Sequence, residues 1–473
     1  MSGRTKISFG TDGWRAIIAE DFTFENVGRV AGAIGNYLVT KINPSPKVVI
    51  GYDTRFHSKA FAETVAQVLT RMGCDVVIGD TFVSTPALSF SVVNRKVDGG
   101  VMISASHNPP EFNGIKFKTS LGSSSPETVT KEFEAFLASD AEPVNASVAG
   151  SLKTEKLAPA YLRNLKSHID FKTIKNKNFK IVIDPMHGAG TGYMTSLLAG
   201  TKIRQVIIHE KGDPMFGGMH PEPIEEYLAD LKKAVKQNGA AVGLATDGDA
   251  DRIGVVDDNG RYLPPHHVFP LLLYYLCNYK KMKGKVVQTI SLGYLSERIA
   301  KDYNLPWEET PVGFKYIADR ILTENILIGG EESGGYGFGN YLPERDGVLN
   351  SMMLIEMIAA TGKPVSALLD EIQKKYGKSV FIRTDFVNPG IPKAEFVGKL
   401  KAVAPSSIAG LKVKEIKDYD GIEFIMEDDS WILLRPSGTE PKIRVYSETE
   451  SVKKTRSLLA WGDKAVKQLL DSK

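Results

Sequence analysis

Three carboxylates stand at alternate positions in Thr246-Asp247-Gly248-Asp249-Ala250-Asp251-Arg252, directly after an apolar run. Spaced i, i+2, i+4 in a tight loop, they can turn toward one hard cation, which takes oxygen ligands. Without a cation, three like charges packed together repel. An EF-hand is excluded, because the sixth loop position is Arg252 rather than Gly and the twelfth is Asp258 rather than Glu. The bland alternative is a solvated acidic turn, and the spacing favours a Mg²⁺ site over it. A second cluster is Ser104-Ala105-Ser106-His107-Asn108-Pro109. Pro109 disfavours helix at Asn108, which would present Ser106 at a strand end beside an imidazole and an amide. That suits a nucleophile or a phosphate acceptor, and an ordinary hydrogen-bonded loop fits equally well. No Gly-x-Ser-x-Gly elbow surrounds it, which counts against a hydrolase triad.

Arg435-Pro436-Ser437-Gly438-Thr439-Glu440-Pro441-Lys442-Ile443-Arg444 combines a Ser-Gly-Thr turn with two arginines. Backbone N–H groups and hydroxyls of such a turn can converge on an anion, and guanidinium groups add bidentate contacts to phosphate. It lacks the Gly-Lys-Ser/Thr ending of a nucleotide loop; an exposed basic hairpin is the alternative. In Gly329-Gly330-Glu331-Glu332-Ser333-Gly334-Gly335 a carboxylate and a hydroxyl are flanked by glycines and can bracket a vicinal diol; a plain turn is equally compatible. Two more Gly-rich loops, Phe9 to Arg15 and His187 to Gly192, do not fit the dinucleotide fingerprint. The histidines at 57, 168, 209, 220, 266 and 267 form no metal-spaced cluster.

Most of these loops follow strands. Lys47–Gly51, Asp75–Gly79 and Gly100–Ser104 read as buried strands, and Phe61–Met72 places Phe61, Val65, Val68, Leu69 and Met72 on one helical face, with Gly73 as its C-terminal stop. The grammar restarts at Phe179–Asp184, with a helix through Ile224, Leu228, Leu231 and Val235 and a strand at Ala241–Ala245. It restarts again at Gly284–Thr289, with Ile326–Ile328 following. Strands alternating with helices imply crossover-connected parallel sheets, whose ligands bind beyond the carboxyl ends of the strands. The last ninety residues differ. Val380–Val387, Leu411–Ile416, Gly421–Met426, Trp431–Leu434 and Lys442–Tyr446 read as strands without intervening helices, closed by a helix over Val452–Leu470. Expected linkers lie near Pro143–Ser151, Gly260–His267 and Asn388–Pro392.

Composition narrows the class. At 473 residues the chain has length for roughly three domains of about 150 residues. Net charge is +3, with no basic run, so no nucleic-acid partner is expected. Cys74 and Cys277 are too few for a disulfide framework. The most apolar stretch, Val268–Leu276, is far short of the ~20 residues a membrane helix needs. The N-terminal segment lacks a signal-peptide core, so a cytoplasmic protein is expected. Glycine, 44 of 473 residues, exceeds the typical ~7%, which suggests tight turns or backbone brought close to a ligand.

Taken in order along the whole chain, these motifs resemble the α-D-phosphohexomutase family, the phosphoglucomutase/phosphomannomutase enzymes. The resemblance rests on Phe9-Gly-Thr-Asp-Gly-Trp-Arg15, Gly51-Tyr-Asp53-Thr-Arg55, Ala105-Ser-His-Asn-Pro109 with Asn113-Gly-Ile-Lys116, and Asp247-Gly-Asp-Ala-Asp-Arg252. Val312-Gly-Phe-Lys315, Gly330-Glu-Glu-Ser-Gly334 and Arg435-Pro-Ser-Gly-Thr-Glu-Pro441 complete it. It implies an α/β protein, heart-shaped around a central cleft. Three related mixed-sheet domains would cover 1–150 (phosphoserine loop), 151–262 (metal loop) and 263–378 (sugar loop). A small α+β domain, 379–473, would bring the phosphate loop. It further implies Ser106 as the phosphoserine, and Asp247, Asp249 and Asp251 with a phosphoserine oxygen as Mg²⁺ ligands. Arg15, His107, Lys116 and Arg252 would be catalytic. Lys315, Glu331, Ser333, Arg435, Ser437, Gly438, Thr439 and Arg444 would bind substrate. Departures are Ser104 where Thr is common, Gly335 where many relatives have His, and Glu222 where Asn is frequent; they bear on substrate preference more than on reaction type.

The implied enzyme is an isomerase that exchanges hexose 1-phosphate and hexose 6-phosphate, with glucose or mannose as the sugar. Phospho-Ser106 would phosphorylate the free hydroxyl, and the hexose 1,6-bisphosphate, intermediate and activator, would reorient and return its other phosphate. Lys116 is the candidate general base, and Arg15, Lys116 and Arg252 the charge stabilisers. Glucosamine and pentose phosphates are alternative substrates. A Mg²⁺-dependent sugar phosphatase, a kinase and a non-enzymatic sugar-phosphate binder are rival classes. The expected partner is a small-molecule sugar phosphate, with no membrane, and the chain a monomer or homodimer.

Overall fold

The computed structural model describes residues 5–10, 12–139, 143, 145–438 and 441–471. Four sheets follow one another along the chain. The first three share one topology. In the first, Lys47–Tyr52 lies between Asp75–Gly79 and Gly99–Ile103, all parallel, and Phe112–Thr119 runs antiparallel beside the last of these. The second repeats this with Lys180–Asp184 between Arg204–Ile207 and Val242–Thr246, and Ile253–Asp257 antiparallel. The third repeats it with Lys285–Thr289 between Trp307–Thr310 and Ile326–Gly330, and Tyr336–Phe338 antiparallel. Parallel neighbours require crossover connections. Helices such as Ser58–Arg71 and Thr85–Arg95 supply them and cover the sheet faces. Gly73, at φ +88, follows the first of these helices as expected.

This repeat positions the chemistry. The connection from the third parallel strand to its antiparallel neighbour spans 104–111 in the first domain, 247–252 in the second and 331–335 in the third. Each holds one of the candidate loops. Strands buried on both faces, as in Val242–Thr246, leave a connection at the strand's carboxyl end as the place where polar groups can emerge. One apolar core runs from Val49 and Leu88 through the second and third sheets to Trp431 and Tyr446 of the fourth. At its centre lies the helix Gly347–Thr361, apolar nearly all round and N-capped by Asp346.

The fourth sheet is antiparallel, in the order Val380–Val387, Lys442–Thr449, Trp431–Pro436, Ile422–Met426, Leu411–Lys417, Ser407–Ile408. It has a core of its own under the helix Val452–Asp471. Three expectations need correction. The strand Leu152–Glu155 pairs with Asp75–Gly79, so the first domain extends past residue 150. The hairpin strand Tyr262–Leu263 closes the second sheet across the expected boundary at 262. A helix, Lys393–Ala402, interrupts the run of C-terminal strands; only Phe396 and Leu400 of it are buried, too little for a periodic signal. Among the described residues no single helix is long and apolar enough to cross a membrane.

Candidate active site

Ser106 sits in the first connection, fully buried, at φ +54. Such a left-handed conformation is rare for a side-chain-bearing residue and persists only where surrounding contacts enforce it. Its Oγ donates to Asp247 Oδ2 at 2.9 Å. The pairing joins two domains and is permitted by Gly248, where a Cβ would run into the Ser106 carbonyl oxygen. The metal loop is also tied by main-chain bonds to both neighbouring domains. Thr85 N–H donates to Asp249 O at 3.0 Å, Ile253 N–H to Gly334 O at 3.0 Å, and Gly347 N–H to Ala250 O at 3.1 Å.

Asp247, Asp249 and Asp251 are all buried, and each offers one carboxylate oxygen within 4.8 Å of the others. Asp249 Oδ1 and Asp251 Oδ1 have no hydrogen-bond partner. Buried polar atoms without partners are costly, and burial together with Asp251 and Asp249 pushes the Asp247 carboxyl well above the usual range. A divalent cation among these oxygens would relieve both penalties, and the all-oxygen donor set fits a hard ion. The remaining oxygens are already held. Asp249 Oδ2 accepts from Thr85 Oγ1 and from Lys116 Nζ, the latter at 2.7 Å. Asp247 Oδ1 accepts the N–H groups of Asp251 and Arg252.

Cations ring the serine. Lys116 Nζ bridges Asp249 and Asp12 at 2.7 and 2.8 Å. Burial alone would lower its pKa, but Asp12, Asp249 and Asp251 more than reverse this and hold it as an ammonium. That form is suited to stabilising phosphoryl oxygens. Arg15 donates to Asn108 Oδ1 at 2.8 Å, and Arg252 Nε stands 3.8 Å from Asp251 Oδ1. His107 is kept neutral by burial and by Arg252, Arg15, Lys116 and Arg444, the last of these from the fourth domain.

The structure adds residues that the motifs did not single out. Arg345 binds Asp251 at 2.6 Å, Asp12 at 3.2 Å and Glu331 at 3.3 Å, linking the carboxylate loop of the second domain, the first domain and the Glu331 loop of the third. Asp12 gathers Lys116, Lys118 and Arg345, which overcome the burial that would raise it and hold it well below the carboxylate range. Thr85 and the buried Lys118–Glu344 pair complete the network. Asp12 lies inside a loop conspicuous for its glycines, whereas Arg345 offers only a charged Glu-Arg-Asp run between apolar segments.

Of the remaining candidates, Glu331 is buried, which raises its pKa against the pull of Arg345. Ser333 Oγ beside it is buried without a partner. Gly334, at φ +83, lets the loop pass the Ile253 carbonyl. Lys315 lies apart from the triad's hydrogen bonds, its Nζ over the Tyr316 ring at 5.1 Å. Arg435 and Arg444 are directly opposite on adjacent strands, so their side chains share a face. Arg435 Nε donates to Asp420 Oδ2 at 3.0 Å. Ser437 N–H closes the hairpin onto Lys442 O at 2.8 Å. A Cβ on Gly438 would meet open space. Thr439 lies outside the described residues.

Comparison with known proteins agrees with this architecture domain by domain. Models of the phosphoglucomutase/phosphomannomutase family match residues 6–143 (alpha/beta/alpha domain I), 159–260 (domain II), 264–376 (domain III) and 398–460 (C-terminal domain). A phosphoglucomutase/phosphomannomutase of Thermococcus kodakarensis is 34% identical over 98% of this chain and 99% of its own. A phosphoglucosamine/phosphogalactosamine mutase of Sulfurisphaera tokodaii is 33% identical over 93% of this chain and 95% of its own. A crystal structure of a candidate phosphomannomutase from Thermus thermophilus superposes with a TM-score of 0.87 at 35% identity, covering 98% of this chain and 100% of that one. With three topologically equivalent loops meeting at one buried serine and carboxylate triad, the chain belongs to the phosphoglucomutase/phosphomannomutase family of phosphohexomutases.

Proposed function

We propose that the protein interconverts hexose 1-phosphate and hexose 6-phosphate, of glucose or mannose, through phospho-Ser106 and a hexose 1,6-bisphosphate. The observation that carries this is Ser106 Oγ held 2.9 Å from Asp247, beside two carboxylates that each keep an unpartnered oxygen. Asp247, Asp249, Asp251 and a phosphate oxygen on Ser106 would hold Mg²⁺, which when bound neutralises charge on the phosphoryl group. The free hydroxyl of the sugar attacks the phosphorus, the P–Oγ bond breaks, and the hydroxyl proton ends on the departing Ser106 Oγ, with Lys116 the candidate base that relays it. In the loose transition state of such transfers, charge on the equatorial oxygens matters more than early deprotonation. Lys116, Arg15 and Arg252 surround that charge as fixed cations. Glu331 and Ser333 are the groups to hold the sugar hydroxyls, while Lys315, Arg435, Ser437, Gly438, Thr439 and Arg444 take the non-reacting phosphate. Either end of the bisphosphate can occupy that distal position, so both phosphates can be exchanged with one serine.

Relatives named as phosphoglucosamine mutases at 30–33% identity support a hexosamine phosphate as the second reading of substrate. Intact mass of the chain after incubation with glucose 1,6-bisphosphate should rise by one phosphate, and the gain should vanish in Ser106→Ala. Normal interconversion by Ser106→Ala would overturn the mechanism. Parallel assays on glucose, mannose, glucosamine and pentose 1-phosphates decide the substrate.

A further inference from the structure

The buried Arg55 takes no part in the chemistry derived above, yet all five N–H groups of its guanidinium are spent behind the serine loop. Nη2 donates to the carbonyls of Ser106 at 2.7 Å and Asn108 at 2.6 Å. Nη1 donates to those of Pro109 at 2.7 Å and Phe112 at 2.9 Å, and Nε to Asp53 Oδ2 at 3.2 Å. Asp53 is itself fixed by Ser58 Oγ at 2.7 Å and by the Arg55 N–H at 3.0 Å. Ser58 Oγ in turn accepts from Asn113 Nδ2 at 2.9 Å, at the far end of the same loop. The guanidinium also lies over the ring of Phe216, 4.8 Å from its centroid, and Phe216 belongs to the second domain, which carries the metal loop.

Four carbonyl dipoles are thus drawn to one cation, while the Ser106 hydroxyl itself goes to Asp247. Left to rotate, these oxygens would compete for the space where phosphoryl oxygens must go, and their negative ends would repel them. The Ser106 carbonyl is the most telling of the four, since it belongs to a residue at φ +54, a geometry that persists only where surrounding contacts enforce it. We propose that Arg55 is a positioning residue for phosphoryl transfer: by capturing the carbonyls of residues 106, 108, 109 and 112 it keeps Ser106 Oγ aimed at Asp247, in register with the second domain. The proposal rests on Ser106 being the phosphate carrier. It separates placement of the serine from binding of the sugar, because among the described residues no hydrogen bond or ion pair of Arg55 goes to one assigned to the sugar or the distal phosphate.

The test uses the full chain and two substitutions. Arg55→Lys keeps the charge but cannot reach four carbonyls in one plane; Arg55→Ala leaves room for free guanidinium. Transfer of phosphate from glucose 1,6-bisphosphate to Ser106 is followed by intact mass after rapid quenching, alongside steady-state kinetics. Arg55→Lys should lower the transfer rate and kcat about a hundredfold, the cost of misplacing a reacting atom by about 1 Å, with KM for the sugar phosphate within about twofold. Guanidinium ion should raise the rate of Arg55→Ala, and sodium chloride at equal ionic strength should not. Wild-type transfer by Arg55→Lys, or a loss shared equally by kcat and KM with no response to guanidinium, overturns the assignment of Arg55 alone. Wild-type chain that takes no phosphate overturns the Ser106 reading and this assignment with it.

Discussion

Glu448 closes the seam between the third and fourth domains and offers a quantitative check on it. Its carboxylate is fully buried. Oε2 accepts Trp431 Nε1 at 2.8 Å and the Tyr294 N–H at 3.1 Å, and Oε1 accepts the Ser379 hydroxyl. Burial pushes its pKa from the ordinary 4.5 up to about 7, against the pull of these donors and of Arg298. At about 1.4 kcal/mol per tenfold change in proton affinity, the ionised side chain costs the fold about 3 kcal/mol. The sign follows from the raised value: the folded state prefers the protonated acid. The favourable contribution is therefore complete below about pH 4.5 and is lost as pH rises through about 7. Glu448→Gln is neutral at every pH and matches the donors, its amide oxygen replacing Oε2 and its NH₂ donating to a rotated Ser379 hydroxyl. Urea titrations of both proteins at pH 4.5, 6, 7 and 8 should show the glutamine variant gaining on the wild type, by about 3 kcal/mol between the lowest and highest pH. Taking the difference at each pH cancels every titration the two proteins share. A difference that stays constant across the range would refute the reasoning.

Two further outcomes are expected. Thr85→Val removes a donor to Asp249 worth about 1.5–3 kcal/mol as a bond to a charged group, so Mg²⁺ affinity measured by calorimetry should fall about tenfold or more; Thr85→Ser should retain it, and unchanged affinity in the valine variant would exclude the role. Asp420→Asn keeps the shape that accepts Val312 N–H but removes the charge that orients Arg435. KM for the sugar phosphate should rise about tenfold while kcat changes little, and a selective loss of kcat would count against a distal phosphate site there.

What the residues disclosed on their own depended on how local each signal was. The Asp247 loop was readable because three carboxylates fall within five residues, and Ser106 because Pro109 marks its turn. Likewise, Lys47–Tyr52 and Val380–Val387 announce themselves by apolar runs and alternation. Asp12 and Arg345 form one ion pair across 333 positions of sequence, and nothing in either neighbourhood states that the other will arrive. Thr85 was hidden for the same reason, being a helix N-terminal residue whose partner belongs to another domain. Arg55 stands in a recognisable motif, but its meaning lies in four carbonyls, which have no side-chain signature. The strand Leu152–Glu155 is mostly exposed and follows no apolar pattern; only the open edge of its neighbour recruits it.

The main-chain bonds at Thr85, Ile253 and Gly347 have a mechanical consequence. They rivet the connection holding the carboxylate triad to the domains on both sides, so parting the first three domains would break these bonds and disturb the triad. The seam with the fourth is fastened differently, by side-chain carboxylates such as Glu448, Asp420 and Asp429 gripping N–H and guanidinium groups. Fasteners of that kind can be undone and remade one at a time. Apolar side chains back these bonds, since Trp431 and Tyr446 share the core that runs through the second and third sheets. On the proposed mechanism, Ser106 and the triad would keep one frame throughout the reaction, whatever the fourth domain does.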